Sequence, residues 1–427
     1  MSEYVDSFYS RTIAEPGRWP ALDGKIEAET CVIGGGLAGL ATALDLAERG
    51  RSVVLLEANR IGWGASGRNG GFMSPGLGVG VSALVEKMGL HKAQEMYALS
   101  KMGHALVRER IASYGIDCGP LEVGGLRCAM AGREENLEEY CAQMARDFDT
   151  KIDYWPASRV QDALATKRYA DATYNPNTWR LHPLNLARGL ARALDGKGGR
   201  LFEQTRVTGI ELHGARREVR TSGGGVRADH VVLACGGYVG WLHWPVSVAT
   251  VPMATFVMVT EPLGDKLKAA IRVPFAVSDI QTPTNYYRPL ADGRLMWGGR
   301  ILTWQPGPER LAHALKRDMA SFYPGLAEAR VEVAWGGLMP FVRHRLPVAG
   351  QLADGIWCAT GFGGLGLAST TMAGRLLAAG IAEGDDRWRL FSAAGLPFSG
   401  GVFGRVPAQF VYWRDAMFQR HAAHKRL

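Results

Sequence analysis

Long apolar runs are missing from this chain. No stretch of about eighteen consecutive apolar residues occurs; the nearest, around Leu367 to Ala382, is interrupted by Arg375, so no membrane-spanning helix is expected. The opening Met1-Ser2-Glu3-Tyr4-Val5-Asp6 carries acids and no apolar core. That is not a secretory signal pattern, and it makes the cytoplasm the expected compartment. Cysteine is sparse and scattered: Cys31, Cys118, Cys128, Cys141, Cys235 and Cys358 show no C-x-x-C spacing. Reduced structural thiols are expected, with no metal site. Basic runs interleaved with stacking aromatics are absent too, which argues against a nucleic-acid partner. The net charge of +8 fits a surface that draws anionic substrates. Internal repeats and low-complexity segments are also lacking.

Glycine, by contrast, is plentiful: 55 residues, gathered in a few stretches. Such clustering points to turns and to backbone that approaches a ligand. The first stretch follows a β-branched strand, Thr30-Cys31-Val32-Ile33, and reads Gly34-Gly35-Gly36-Leu37-Ala38-Gly39. A helical pattern leaves Gly39, and a second strand, Ser52-Val53-Val54-Leu55-Leu56, delivers Glu57 and then Ala58. Gly34 permits the tight turn, Gly36 lets backbone approach a pyrophosphate, and Gly39 lets the helix pack closely on the strand. The free N–H groups opening that helix, at Leu37 and Ala38, face the phosphates, and Glu57 accepts from the ribose hydroxyls. Strand, helix, second strand and terminal acid in one unit predict an adenine-dinucleotide site.

Further strands are predicted near residues 208, 231 and 357, separated by two long inserts. The expected organisation is a polar arm at 1–28, then a discontinuous cofactor domain from 29–90, 166–240 and 331–395. A second domain combines 91–165 with 241–330, where period-two alternation between Ala249 and Gly299 predicts an antiparallel sheet. Residues 396–427 form a C-terminal amphipathic segment, mixing Phe410, Trp413, Met417 and Phe418 with Arg414, Arg420, Lys425 and Arg426. Its expected uses are docking on the protein's own body or contact with a membrane surface or protein partner.

Two more glycine loops discriminate between NAD and FAD. Gly64-Ala65-Ser66-Gly67-Arg68-Asn69-Gly70-Gly71 and Gly361-Phe362-Gly363-Gly364-Leu365-Gly366-Leu367 suit a cofactor whose long ring system and ribityl chain pass several loops. With Leu181-His182-Pro183, Val231 to Tyr238, Tyr286-Tyr287-Arg288 and Gly298-Gly299-Arg300, the chain resembles the D-amino-acid oxidase, sarcosine oxidase and glycine oxidase family of FAD-dependent oxidoreductases. Within it, the chain is most similar to the gamma-glutamylputrescine oxidoreductase-like branch. The resemblance runs from about Ala21 to Phe391. It implies an α/β fold, with a Rossmann-like FAD-binding domain of glutathione-reductase type and an inserted α+β substrate domain on an antiparallel sheet. It also implies cofactor contacts from Gly34, Gly36 and Glu57, from Val207 at the adenine, from Cys235 and Gly236, and from Ser66 to Gly71 along the ring. Gly363, Gly364, Leu365, Gly366 and Leu367 are placed at its pyrimidine edge.

Three departures from the family shape the expectation. Relatives that attach FAD covalently use a cysteine or a histidine in stretches that here read Met339 to Pro347 and Ser66 to Asn69. The first has no cysteine and the second no histidine, so non-covalent FAD is expected, with His344 the residue nearest to an exception. The final loop reads Gly364-Leu365-Gly366 where most relatives have Gly-His-Gly. Met296 takes the place of the lysine that activates oxygen in sarcosine oxidases, so either oxygen or another electron acceptor is expected. No cation follows the loop at Leu367-Ala368 to grip an α-carboxylate, which favours an amine distant from any carboxylate.

The function that follows is oxidation of a C–N bond in an amine or amino acid derivative of γ-glutamyl polyamine type. Hydride goes to flavin, and the imine formed hydrolyses. Arg288, Tyr287 and Trp335 are the expected catalytic-site side chains, with Tyr286, Trp297, Trp304 and Phe256 as further candidates for an aromatic pocket. His182 is expected to cap a helix that starts at Pro183. The alternatives are a dehydrogenase of a secondary or cyclic amino acid or opine, and an FAD-binding electron-transfer subunit.

Overall fold

The computed structural model describes residues 3–119, 121–132, 135–213, 216–281, 283–304 and 306–424, without the side chains of 122, 212, 213 and 415–424. Lys425 and Arg426 lie outside the described residues. Two sheets carry the architecture. The first has eight strands and is centred on Gly24–Ile33, which pairs in parallel with Val53–Leu56 on one side and Gly224–Leu233 on the other. Ile33 lies level with both Leu56 and Leu233, so three strands end at the same height. Their carboxyl ends deliver Gly34, Glu57 and Ala234 to one crevice, the usual ligand position in such sheets.

Helix Leu37–Glu48 is buried over almost its whole surface. It is sandwiched between this sheet and helix Gly366–Glu383, where a Cβ on Gly374 would lie 2.6 Å from the Ala41 Cβ. Helix Leu90–Ser113 packs on the same Gly366–Glu383 helix through Gly103, whose added Cβ would meet Met372 at 2.7 Å. One buried acid ties the three together. Asp45 pairs with Arg110 at 2.7 Å, Arg375 at 2.6 Å and Arg49 at 2.8 Å. Arg375, which interrupts the longest apolar run, thus spends its charge inside the helix layer.

The second sheet has nine strands and is antiparallel apart from one parallel pair, Glu122–Met130 with Ala276–Asp279. One face packs on helix Pro308–Phe322, whose Leu311, Leu315, Met319 and Phe322 recur at helical spacing and join Tyr287, Trp297 and Phe256 in a core. The other face looks towards the cofactor crevice. The expected fold class therefore stands, but the expected boundaries need correction. Strands Tyr169–Arg180 and Val331–Phe341, assigned from sequence to the cofactor domain, belong to the second sheet. Helix Leu90–Ser113, assigned to the second domain, packs on the helix layer of the first. Long strands crossing between layers leave no compositional break for a sequence reading to find.

The arm is pinned to the body by its aromatics. Tyr9 is fully buried beside Trp335 and Met296, and the Tyr4 hydroxyl donates to the Ile61 carbonyl at 2.7 Å.

Candidate functional site

A cavity of about 1000 Å³ opens at the carboxyl ends of the parallel strands. Most residues singled out as cofactor contacts line it: Gly34, Gly36, Leu37, Ala38, Glu57, Ala58, Gly64, Ala65, Ser66, Asn69, Gly70, Val207, Cys235, Gly236, Gly363, Gly364, Leu365, Gly366 and Leu367. Four do not reach it. Gly39 faces the strand, where a Cβ would collide with the Gly34 carbonyl; its task is the close helix packing expected of it. Gly67 and Gly71 are pressed against the Gly62 and Leu181 carbonyls and shape the loop from behind. Arg68 turns away, stacks 4.1 Å from the Trp63 ring centroid and donates to the Gly336 carbonyl at 3.3 Å.

The cradle has the chemistry of a dinucleotide site. Helix Leu37–Glu48 opens on Gly36 with no side-chain cap of that residue's own, and the Ser66 hydroxyl accepts from the Leu37 N–H at 2.9 Å. The loop bearing Ser66 is thereby fastened to the phosphate end of the helix. Glu57 accepts from the Gly35 and Asn59 N–H groups at 2.7 and 2.8 Å, and burial pushes its carboxyl above the ordinary range. The backbone donors oppose that rise. Asn69 donates to the Ala65 and Ser66 carbonyls and accepts from the Gly71 N–H, so it folds its own loop while facing the cavity. Across the cavity, Gly363 and Gly364 take positive φ values, 56° and 101°, that let the loop turn into helix Gly366–Glu383. Leu365 precedes that helix without capping it, so its positive end faces the cavity. His344 is turned elsewhere, with its Nε2 3.2 Å from the Gly395 carbonyl.

Beyond the loops the cavity continues along the second sheet, past Tyr286, Thr255, Ile301, Leu338 and Met339 to Ser278, Arg127, Thr173 and Asn175. Tyr286 stands against the cofactor loop: a Cβ on Gly70 would lie 2.8 Å from its ring. Burial pushes its hydroxyl up to about 12.

Several expected substrate-site side chains lie away from the cavity. Tyr287 stacks on Trp297 with centroids 4.5 Å apart and shares a 2.6 Å hydrogen bond with the Tyr323 hydroxyl. Phe256 is buried in the same core. Strand alternation is the cause: neighbours on a strand face opposite sides, so Tyr286 meets the cavity and Tyr287 cannot. Arg288 returns to the Tyr286 face but lies beneath the arm, donating to the Tyr9 hydroxyl at 3.3 Å and the Leu181 carbonyl at 3.4 Å. Trp335 supports the cofactor loop from below through its Nε1, 2.9 Å from the Arg68 carbonyl oxygen. Trp304 is exposed and packs on Trp413 of the C-terminal helix. Met296 is buried in the arm cluster, its sulfur 3.4 Å from the Tyr9 hydroxyl.

His182 caps helix Pro183–Gly196 by accepting from the Asn185 N–H at 3.0 Å. Burial, aided by Arg288, lowers its imidazole to about 4. The sequence reading passed over Arg127, Thr173 and Ser278. A signal was present, because Arg127 is an exposed charge set between the buried residues Leu126 and Cys128 of strand Glu122–Met130.

The C-terminal helix, Arg405–His424, docks on the protein's own body. Arg405 donates to the Pro252 carbonyl, and the Gln409 side chain accepts from the Thr303 N–H at 2.9 Å. Its outward face bears Val406, Phe410 and Trp413. Among the described residues no helix is long and apolar enough to cross a membrane, and no group of three or more His, Cys, Asp or Glu side chains could hold a metal.

Comparison with known proteins agrees with this geometry. Residues 29–379 match the DAO family, described as FAD dependent oxidoreductase. The chain is 33% identical to gamma-glutamylputrescine oxidoreductase of Escherichia coli K12, across 95% of this chain and 96% of that one. It is 29% identical to the probable oxidoreductase OrdL of Haemophilus influenzae, across 92% of each. Among solved structures, glycine oxidase from Geobacillus kaustophilus superimposes with a TM-score of 0.70 at 22% identity, covering 87% of this chain and 98% of that one. L-proline dehydrogenase from P. horikoshii gives the same TM-score at 18% identity, covering 88% and 96%. These last two likenesses speak for the fold. The chain belongs to the DAO family of FAD-dependent oxidoreductases, enzymes that oxidise C–N bonds of amines and amino acids.

Proposed function

We propose that the protein oxidises the carbon beside nitrogen in an amine of γ-glutamyl polyamine type, with FAD held non-covalently along the cavity. The observation that carries the reading is the cavity's continuity. One space runs from the dinucleotide cradle past Gly70 and Tyr286 to a polar wall of Ser278, Arg127 and Thr173. The Escherichia coli relative, alike over nearly the whole of both chains, is named for a substrate of this type.

In this reading Gly36, Leu37 and Ala38 face the pyrophosphate, Glu57 and Ala58 the ribose, and Val207 the adenine. Ser66, Asn69 and Gly70 run along the ring, and Leu365 to Leu367 along its pyrimidine edge. Bound FAD supplies a two-electron acceptor for hydride from the amine carbon. The chain's own residues desolvate and orient the substrate. An alkyl amine has a pKa of about 10 in water and arrives protonated. Tyr286, Ile301, Leu338 and Met339 give that end of the cavity an apolar wall, which favours the neutral amine that can react. Catalysis then rests on position and dryness, with no buried base called upon. A cytoplasmic location belongs to the proposal and agrees with six unbridged cysteines.

The test is anaerobic bleaching of the bound flavin across a panel of amines. γ-Glutamylputrescine is expected to bleach it. Bleaching by proline-like acids alone would overturn the substrate class. Reduction by a partner protein and by no amine would mark an electron-transfer subunit.

The outward face of the C-terminal helix is proposed to rest on an anionic membrane surface. Val406, Phe410 and Trp413 lie on one helical stripe, and the stacked, exposed Trp241 and Trp244 lie on the neighbouring segment. From residue 405 onward the sequence holds five Arg or Lys residues and one acid, Asp415. That excess of positive charge is what an anionic surface attracts. The double variant Phe410→Ser/Trp413→Ser is expected to abolish sedimentation with phosphatidylglycerol vesicles. No sedimentation by the parent protein, or its self-association on ultracentrifugation, would overturn the assignment.

A further inference from the structure

We propose that Arg127 anchors a carboxylate at the far end of the substrate, opposite the amine, and so sets the length of substrate the enzyme accepts. The inference rests on the amine-oxidation reading and adds to it the residue that measures chain length.

The second sheet builds the site by lateral pairing. Gly298 pairs with Tyr286, Tyr286 with Ser278, Ser278 with Arg127, and Arg127 with Thr173. Paired residues share a face, and Tyr286, Ser278, Arg127 and Thr173 all line the cavity. Tyr286 marks the flavin end, because its ring lies against Gly70 of the cofactor loop. Arg127 is two strands further on, and at roughly 4.8 Å per strand that is about 10 Å. An extended chain covers about 3.3–3.6 Å for every three bonds, so this separation is the span of about nine bonds. An α-amino acid, with nitrogen and carboxylate on one carbon, cannot bridge it. In a γ-glutamyl conjugate of a four-carbon diamine, about nine bonds separate the amine-bearing carbon from the terminal carboxylate, the count that this span requires.

Arg127 donates to the Tyr140 hydroxyl, a neutral partner that leaves its charge available to an anion. It forms no ion pair with an acid among the described residues, and its guanidinium faces the Tyr140 ring with 6.0 Å to the centroid. The other arginines near the substrate end are committed elsewhere. Arg288 is hydrogen-bonded beneath the arm, Arg68 is stacked on Trp63, and Arg405 donates its Nε to Pro252. A guanidinium is suited to bidentate grip of a carboxylate, and its two parallel donors fix direction as well as distance. The neighbouring Ser278 and Thr173 hydroxyls are placed to help hold the polar end of the substrate. Asp279, the acid beside Ser278, accepts from Asn285 and Gln281 and shapes its own turn.

The test compares two substrates in two proteins. One is γ-glutamylputrescine; the other is N-(4-aminobutyryl)putrescine, which keeps both amines and the amide and lacks only the carboxylate. Arg127→Gln is expected to raise KM for the first by about 10- to 100-fold, the range for a lost charge-assisted hydrogen bond, while KM for the second is unchanged. Arg127→Lys, which keeps the charge and loses the fork, is expected to fall between. Equal losses on both substrates, or no loss on either, would overturn the anchor. Failure of the parent protein to be bleached by any amine overturns the amine reading instead. The anchor is then judged by calorimetry on the FAD-loaded protein with glutaric acid mono-butylamide, a carboxylate chain with no amine. Binding by the parent and not by Arg127→Gln supports it, and equal or absent binding refutes it.

Discussion

The Tyr9 hydroxyl lies 3.3 Å from an Nη of Arg288, joining the N-terminal arm to the strand that carries the cavity-facing Tyr286. The same hydroxyl is 3.4 Å from the Met296 sulfur, and its ring meets Trp335 and His182 edge-on. The arm is thus a plug under the cofactor loop.

Removing the plug is expected to unseat the loop. Tyr9→Ala deletes a fully buried aromatic ring and is expected to cost about 3–5 kcal/mol. Tyr9→Phe removes only the hydroxyl that meets Arg288 and Met296 and is expected to cost about 1–2 kcal/mol. Denaturant titration with flavin fluorescence measures both; equal and negligible effects would show that the arm merely lies on the surface.

Tyr286 and Tyr287 offer a sharper contrast. Tyr286→Ala is expected to reduce kcat/KM at least about tenfold with a small change in melting temperature, because the ring borders the cavity. Tyr287→Ala is expected to cost about 3–5 kcal/mol of stability while leaving the ranking of amine substrates intact. Steady-state kinetics and thermal melts on the same preparations decide it. The reverse pattern would place the strand one residue out of register.

Asp45 is expected to be indispensable to the helix layer. Asp45→Asn leaves Arg110 and Arg375 without their shared anion and is expected to destabilise by about 3–5 kcal/mol. Measured by denaturant unfolding, a cost below about 1 kcal/mol would show that water or other acids replace it.

Stability is expected to decline on acidification below neutrality, beginning well above the ordinary carboxylate range. Burial lowers His182 and His104 to about 4 from the ordinary value near 6.5. Between those two values the unfolded chain binds more protons than the folded one, so stability falls as pH drops from about 6.5 to about 4. Each imidazole contributes at most about 3 kcal/mol to that slope. His182→Asn, which retains the capping function, is expected to flatten the decline in melting temperature over this window. An unchanged profile would refute His182 as a source.

What could be read from the sequence was whatever the backbone demands locally. Gly34, Gly36 and the loops at 64–71 and 361–366 are legible because close approach and tight turning exclude side chains at particular positions. Glu57 is legible because it ends a short buried strand at a fixed distance from them. The substrate side was not legible in the same way. Tyr286-Tyr287-Arg288 spells three attractive residues in a row, and which of them meets the cavity depends on strand register, which is set by partners far away in the chain. The arm's insertion beneath Arg288, the exit of strands 169–180 and 331–341 from the first sheet, and the row from Tyr286 to Arg127 are likewise products of non-local pairing. Trp335 and Arg68, read as chemical groups, hold a loop in place.

The strand Tyr286–Pro289 turns one face to the cavity and packs the other into the core, and the neighbouring strand with Val277 and Ser278 does the same. Substitution at every second position can therefore alter which amine is admitted while the stacked Tyr287 and Trp297 behind the sheet remain undisturbed. For a fold shared by enzymes named for different amines and amino acids, this separation lets substrate preference diverge through changes that do not threaten folding.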